Sequence, residues 1–252
     1  MPRVRRSPPS ISLILMRLTS RNTRAAVPIA LVVSLVLQQG CASSSSMVMQ
    51  QGGARGSTGV RTGGNYVALE RGVIDELNRA RTDPSGYATE IERDLQYYQG
   101  DLFRRPGDES FLQTHEGAAA AREAIRVLRQ TKPLPALRVS PGIALATRDH
   151  VNDQAPRGLM NHKGTDGSMA WDRVSRYGEW KSKISENMTF GAATAHDVVS
   201  ELLIDDGITD RGHRKNILDA QVKLVGASCG PHKSFRVMCD IVHAGGFVEH
   251  DK

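Results

Sequence analysis

The stretch GHRKNIL, residues 212–218, is the last of four short motifs that decide how this chain folds. Upstream of it, ISENM at residues 184–188 places Glu186 between apolar residues. Residues 198–205 form a helical apolar run that ends on an acid. The first motif, NHKGTDGS at residues 161–168, sets a histidine before a turn-rich segment. We take these four motifs, in this order, as the centre of the fold and of any site.

The motifs contain two histidines, His162 and His213, and two acids, Glu186 and Asp205. Two neutral imidazoles can bind zinc, and carboxylates can complete the coordination or orient an imidazole through its second nitrogen. Without metal, the two acids could act as a carboxylate pair in glycoside hydrolysis. Either histidine could instead be a hydrogen-bonded loop residue. The sequence has no GxxxxGK[ST] phosphate loop, GxSxG elbow, HExxH helix or CxxC pair.

Together the motifs resemble the bacterial form of the CAP superfamily, the cysteine-rich secretory, antigen 5 and pathogenesis-related proteins. In that form a histidine precedes a DG[KS] turn, a GEN-type motif follows, and GHRxNIL ends the set. The resemblance covers residues 66–247 and implies an α+β fold, a three-layer α-β-α sandwich around a central antiparallel sheet.

Carried over position by position, the family's cleft tetrad falls on His162, Glu186, Asp205 and His213, with His162 and His213 as ligands of a divalent metal, zinc. Ser185 stands where the family has glycine before Glu186. Glu201 and Asp206 compete with Asp205 for the fourth position, and that alternative stays open.

Elsewhere the pattern predicts helices from about Val67 to Asp83, over 118–128 and from Ser140-Pro141 to about Ala155. Thr194 caps a further helix, and 169–177 forms a short one. Residues 100–109 are predicted as an exposed loop. The end of the chain is predicted as two strands, 224–229 and 235–243, around a turn at 230–233.

The first 41 residues have the composition of an export signal. They contain six arginines and no acid, and the apolar run Ala25–Leu37 is too short to span a membrane. Gly40-Cys41 resembles a lipobox, so Cys41 is predicted to be lipidated and to anchor the protein in a membrane; an ordinary signal peptide is the alternative. Met16 would start a leader of normal length, leaving 1–15 untranslated.

Residues 42–65 are rich in serine and glycine and are predicted as a flexible tether, with the domain at 66–252. Beyond Cys41 the chain carries 27 basic and 27 acidic residues, so the formal net charge of +6 comes from the leader. This balance excludes a nucleic-acid footprint on the folded part.

Two cysteines remain, Cys229 and Cys239, in the predicted hairpin. In an exported protein they are expected to form a disulfide. The predicted turn does not place them directly opposite each other, so two buried thiols are the alternative.

By resemblance, we expect an exported lipoprotein of the cell envelope, without catalytic activity, whose tetrad cleft binds a divalent cation and a small or lipidic ligand. One alternative is a hydrolase of cell-wall peptide or glycan, with Glu186 or a metal-bound water as base. The other is a structural adhesion module.

Overall fold

The computed structural model describes residues 62–250, apart from 107, 109 and 110, together with Arg17 and Leu18. The predicted leader, the Cys41 lipidation site, the alternative start at Met16 and most of the tether lie outside the described residues. Within the part that is described, no helix combines the length and the apolar character needed to cross a membrane.

Seven α-helices lie in the described residues: α1 (Thr62–Thr82), α2 (Pro84–Asp94), α3 (Ala118–Gln130), α4 (Pro141–Gln154), α5 (Ala170–Val174), α6 (Ala195–Ile204) and α7 (Gly212–Ile217). Two single 3-10 turns follow α2 and α4, at Leu95–Tyr97 and Ala155–Arg157. The strands are β1 (Arg17–Leu18), β2 (Tyr98–Gln99), β3 (Leu102–Phe103), β4 (Phe111–Gln113), β5 (Arg138–Val139), β6 (Gly178–Trp180), β7 (Ile184–Phe190), β8 (Leu224–His232), β9 (Arg236–Ala244) and β10 (Phe247–Glu249).

The helix starts follow from their capping residues. The Ser140 hydroxyl accepts the backbone N–H of Ile143, and Pro141 occupies the first helical position. The Thr194 hydroxyl accepts the N–H of Asp197 in the same way. Both predicted caps are confirmed. Helix α1 begins at Thr62, four residues before the predicted domain start, and ends before Pro84 as predicted.

The central sheet has the strand order β5-β8-β9-β7. Strands β7, β8 and β9 are antiparallel, and β5 adds one short parallel pairing at Leu224–Val225. The predicted turn at 230–233 is wrong, because β8 continues to His232 and the chain turns at 233–235. Among the described residues, β5 borders β8 only at its start, so Pro231 lies on an open edge where its missing N–H costs no ladder bond.

This later turn sets the register of the two cysteines. Cys229 lies directly opposite Cys239, with 4.1 Å between the two Cα atoms, and the sulfurs are joined in a disulfide. Both residues are buried on the sheet face toward α1. The alternative of two buried thiols is therefore wrong. It rested on a turn placed too early in the chain, which would have kept Cys229 and Cys239 out of register.

Helices cover both faces of the sheet and make three layers. Helices α1, α2, α3 and α6 bury one core against the sheet face that carries Val225, Ala227 and Ile241. Helices α4 and α5 cover the opposite face, where Ile143 and Ala146 pack against Val242 and Ala244. The α+β class and the sandwich arrangement around an antiparallel sheet are as predicted.

Residues 95–117 elaborate the first helical layer. Strands β2, β3 and β4 form a small sheet there, joined at its edge by β1. The prediction of an exposed loop at 100–109 is wrong at Phe103, which is buried and packs against Tyr98 with 4.7 Å between ring centroids. Phe103 is buried together with Leu112, and Arg105 pairs with Asp94 and Asp197, contacts that the polar sequence pattern does not reveal.

Candidate metal-binding cleft

The cleft lies at one end of the sheet, between the loop after α4, the strand β7 and the helix α7. His162 lies in that loop, Glu186 on β7, and His213 is the second residue of α7. All three line a cavity of about 450 Å³. Asp205 does not line it, because this residue is buried at the C-terminal end of α6.

The first histidine is held by a buried ion pair. The Nδ1 of His162 lies 2.7 Å from an Oε2 of Glu186, and the other carboxylate oxygen accepts from Arg173. Both Glu186 and Arg173 are almost fully buried, with 5% and 3% of their side chains exposed. Burial opposes ionisation of Glu186, but the hydrogen bond from His162 and the charge of Arg173 hold its pKa below the usual value.

Arg173 also organises the loop that carries the histidine. Its Nη1 donates to the carbonyl oxygens of Ser168 at 2.8 Å and His162 at 3.3 Å. One guanidinium on α5 therefore closes the turn 162–168 and neutralises Glu186. Sequence reasoning missed this residue, since nothing in its neighbourhood marks one arginine of a short helix as buried.

The second histidine has an equivalent partner from another part of the chain. The Nδ1 of His213 lies 2.7 Å from Oδ1 of Asp205. The other oxygen of Asp205 accepts the backbone N–H groups of His213 at 2.9 Å and Arg214 at 3.2 Å. Asp205 has a left-handed backbone with φ 56°, which acids tolerate better than most residues and which ends α6.

The two acids that competed with Asp205 serve other contacts. Asp206 accepts the backbone N–H groups of His115 at 2.6 Å and Glu116 at 2.8 Å, and so fastens the small sheet to α6. Glu201 accepts a hydrogen bond from the Thr189 hydroxyl at 3.2 Å. The geometry thus pairs His213 with Asp205, the residue assigned from the resemblance.

The two polar motifs that flank the cleft are joined through their asparagines. Asn187 donates to the backbone carbonyl of His213 at 3.2 Å, and Asn216 donates to the Asn187 side-chain oxygen at 2.8 Å. Asn187 is fully buried. These contacts explain why an amide follows Glu186 and another follows His213: they fix strand β7 against helix α7.

Arg214, the residue after His213, is not among the residues that line the cavity. Its side chain is buried and donates to the carbonyls of Leu203 and Ile204 at the end of α6. It pairs with Glu123 of α3 at 2.7 Å. Arg214 therefore closes the C-terminus of α6 and does not face the cleft.

Behind the cleft lies a second layer of buried polar groups. His150 on α4 bonds the carbonyl of Asn161 through Nε2 at 2.9 Å, next to His162. Burial lowers the pKa of His150, so the ring is neutral and its Nε2–H donates. Asp240 on β9 is fully buried, and burial, followed by the charge of Glu186, raises its pKa well above the usual value. Neither residue was predicted to belong to the site.

The carboxylates at the Nδ1 atoms of His162 and His213 decide what the cleft can do chemically. In a neutral imidazole one ring nitrogen donates and the other accepts. A carboxylate at Nδ1 fixes the proton there and leaves the lone pair on Nε2, the arrangement found in metal-bound histidines that have a carboxylate behind them. The residues therefore fit a metal. Among the described residues, no three of the tetrad bring ligand atoms within 4.8 Å of one another, so a bound ion would keep open positions.

The rest of the cavity wall is mixed. The apolar members are Met169, Ala170, Trp171, Ile184 and Ile208, and the charged members outside the tetrad are Lys183, Asp210 and Lys215. Ser185 lines the cavity too, where the resembling family has glycine.

Comparison with known proteins matches the part of the chain that carries the cleft to a known family. The sequence model of the cysteine-rich secretory protein family, CAP, matches residues 122–242, a span that contains all four tetrad residues. Curated protein sequences give no significant match.

Three solved structures are similar to the chain. An outer surface protein of Borrelia burgdorferi has 12% identity and a TM-score of 0.38, over 44% of this chain and 78% of that one. An extracellular SCP-domain protein of Bacillus anthracis has 19% identity and a TM-score of 0.34, over 44% of this chain and 34% of that one. A cysteine-rich secretory protein of Staphylococcus aureus has 9% identity and a TM-score of 0.34, over 62% and 60%.

The matched span includes helix α4, the strands of the central sheet from β7 to most of β9, and both histidine–carboxylate pairs. The chain therefore carries a CAP domain over residues 122–242.

Proposed function

We propose that this protein is an exported CAP-domain protein of the cell envelope whose cleft binds a divalent metal ion through His162 and His213 and holds a small amphipathic ligand beside it. The observation that carries the proposal is the pair of 2.7 Å contacts from Glu186 and Asp205 to the Nδ1 atoms. Each carboxylate prepares one imidazole to coordinate through Nε2.

Zinc is the ion that suits these donors best. Imidazole is a borderline ligand, and zinc accepts few protein ligands together with water or substrate. The ion would supply Lewis acidity or a ligand-binding position, while Glu186 and Asp205 stay behind the rings. Because imidazole must be neutral to coordinate, zinc binding should weaken in acid.

The ligand class follows from the wall of the cavity. Trp171, Met169 and Ile184 give one side an apolar surface. Lys215 adds a positive charge and Asp210 a negative one, while Lys183 is paired with Asp219. A cavity of about 450 Å³ lies within the range of small-molecule sites. We propose a ligand with an apolar body and an anionic or metal-binding head, in keeping with a lipid or a fragment of the envelope.

Export and anchoring rest on other features. The basic and apolar leader, Cys41 and the Cys229–Cys239 disulfide all suit an oxidising compartment outside the cytoplasm. Cys41→Ala should move the protein from the membrane fraction to the soluble fraction or block its processing. Equal fractionation of wild type and variant as soluble, processed protein would contradict lipidation.

A hydrolase of cell-wall peptide or glycan ranks second, because the carboxylate pair it needs is already occupied. Asp205 is buried, and both of its oxygens accept hydrogen bonds from the start of α7. A zymogram against peptidoglycan separates the two proposals. Clearing that disappears in Glu186→Gln would favour the enzyme, and an adhesion module would keep its partner binding when the tetrad is changed.

Calorimetric titration of zinc into chelator-treated protein tests the metal proposal. The double variant His162→Ala/His213→Ala should lose the zinc equivalent that belongs to the cleft, and Glu186→Gln should weaken it by roughly 10–100-fold. His250→Ala, which removes an exposed histidine outside the cleft, is the matched control. Equal zinc binding by wild type and the double variant would overturn the proposal.

A further inference from the structure

A second group of metal-ligating side chains lies in the helical layer, away from the tetrad. Glu76 on α1, Glu90 on α2 and His196 on α6 bring one ligand atom each within 4.8 Å of one another, the only such group of three among the described residues. Glu76 and Glu90 precede the span 122–242 that matches the CAP family. We infer that these three side chains form a second divalent-cation site, which we call the helix cluster.

The distances suit an ion better than direct hydrogen bonds. The Nδ1 of His196 lies 3.5 Å from Oε2 of Glu76 and 3.8 Å from Oε2 of Glu90. Hydrogen bonds from nitrogen to oxygen are shorter, about 2.7–3.2 Å. Ligands at about 2.0–2.1 Å from a tetrahedral zinc ion lie roughly 3.3 Å from one another. The two distances from His196 are therefore close to the spacing of ligands around such an ion.

A cationic atom already lies between the two carboxylates. The Nη2 of Arg79 is 3.0 Å from Oε2 of Glu76 and 2.5 Å from Oε2 of Glu90. Half of the Arg79 side chain is exposed, so the guanidinium can turn into solvent, although it would give up both carboxylate contacts and its position 5.4 Å from the centre of the Tyr87 ring. We take Arg79 to hold the place of the cation, as a competitor that the ion displaces.

The charges around the helix cluster leave room for a divalent ion. Arg79 is shared by Glu76 and Glu90, and Arg105 is shared by Asp94 and Asp197. These six groups carry a net charge of −2 while His196 is neutral. When an ion displaces Arg79, the remaining five groups carry −3, and one divalent cation would reduce that charge to −1.

The chemistry of the imidazole is also prepared. An oxygen of Asp94 lies 3.5 Å from Nε2, the other ring nitrogen of His196, and places a negative charge on that side of the ring. Asp94 raises the pKa of His196, so protons and metal compete for the ring. One histidine and two carboxylates form a donor set typical of zinc. Because its ligands come from three helices, the ion would tie α1, α2 and α6 together.

The test uses the cleft double variant His162→Ala/His213→Ala as background, so that zinc at the helix cluster is measured alone. Calorimetry at pH 7.5 on the full chelator-treated chain should still find one zinc equivalent, and zinc should raise the melting temperature. Adding His196→Ala, or the milder Glu90→Gln, should remove both effects. Arg79→Met should tighten binding by about tenfold, because it removes a competing charge.

The outcomes separate this inference from the proposed cleft site. Loss of all zinc in the cleft double variant, or zinc binding that survives His196→Ala and Glu90→Gln, would overturn the helix cluster. If Arg79→Met binds zinc no more tightly, the claim that the Arg79 guanidinium occupies the position of the ion would be overturned. If wild type binds one equivalent that His196→Ala removes and the cleft variant keeps, the helix cluster stands and the cleft proposal fails.

Discussion

The cleft and the helix cluster both combine histidines with carboxylates, but the distance from carboxylate oxygen to ring nitrogen differs between them. In the cleft each carboxylate lies 2.7 Å from a histidine nitrogen, in a buried contact that leaves the carboxylate behind the ring. In the helix cluster the carboxylates lie 3.5 and 3.8 Å from the nitrogen, and an arginine lies between them. The difference teaches how to tell a carboxylate that orients a ligand from one that is itself a candidate ligand.

Burial separates the two regions further. Arg173 and Glu186 in the cleft are almost inaccessible, whereas Arg79 in the helix cluster is half exposed. A charge in the first region depends on its partner, since it has no water to replace it. A charge in the second is already solvated and contributes little to folding.

The largest expected effect comes from breaking the buried ion pair of Arg173 and Glu186. Arg173→Met should lower the free energy of unfolding by about 3–5 kcal/mol, because it leaves the Glu186 carboxylate buried without its cation. Arg79→Met is the matched control in the helix cluster and should change stability by less than about 1 kcal/mol. Urea denaturation followed by circular dichroism measures both. Similar losses in the two variants would show that burial does not distinguish the regions.

The next effect concerns the sheet that supports the cleft from below. The Cys229–Cys239 bridge closes a loop with a sequence separation of 10 residues. Replacing both cysteines by serine should lower stability by about 2–4 kcal/mol, chiefly by freeing the unfolded chain. Zinc stoichiometry should stay unchanged, since neither region uses a thiol. Free alkylation of both cysteines in unreduced, freshly extracted protein would contradict the bridge.

Acid should affect two other histidines with opposite sign. Burial lowers the pKa of His243 to about 3. Below about pH 6.5 the unfolded chain therefore binds a proton at this residue, and the folded chain does not. This group should cost about 2 kcal/mol of stability between pH 7 and pH 5. His196 has a raised pKa, so its contribution is fully present below about 6.5 and is lost as the pH rises through the folded value.

The free energy of unfolding of His243→Leu and His196→Gln, measured between pH 5 and 8, gives the contribution of each histidine to the pH dependence of stability. The first variant should lose less stability in acid than the wild type does, and the second should lose more. A pH dependence identical to wild type in His243→Leu would mean that the buried ring accepts a proton in the folded state.

Local sequence was sufficient to predict the starts of helices α4 and α6. Ser140 and Thr194 are recognisable because capping needs only a hydroxyl and the next few backbone N–H groups. His162, Glu186, Asp205 and His213 were assigned because the resemblance carries their order along the chain. The structure adds which acid meets which histidine.

The features of the fold and the site that the sequence did not predict depend on contacts between distant parts of the chain. Arg173 is essential to the site only because α5 packs its guanidinium over β7, and Asn187 and Asn216 meet only in the folded chain. The hairpin register was mispredicted because Pro231 looked like a turn residue, although the open edge of β8 accepts it. The helix cluster joins His196 to two acids that precede it by 106 and 120 positions, too far for any spacing rule.

The central claim is that buried carboxylates fix the tautomer of both cleft histidines. Nitrogen-15 NMR of the imidazole rings in metal-free protein at pH 8 tests it directly. Our account predicts that His162 and His213 are protonated at Nδ1, with Nε2 as the unprotonated nitrogen whose resonance shifts when zinc is added. Protonation at Nε2 in either ring, or zinc binding that leaves both Nε2 resonances unchanged, would contradict it.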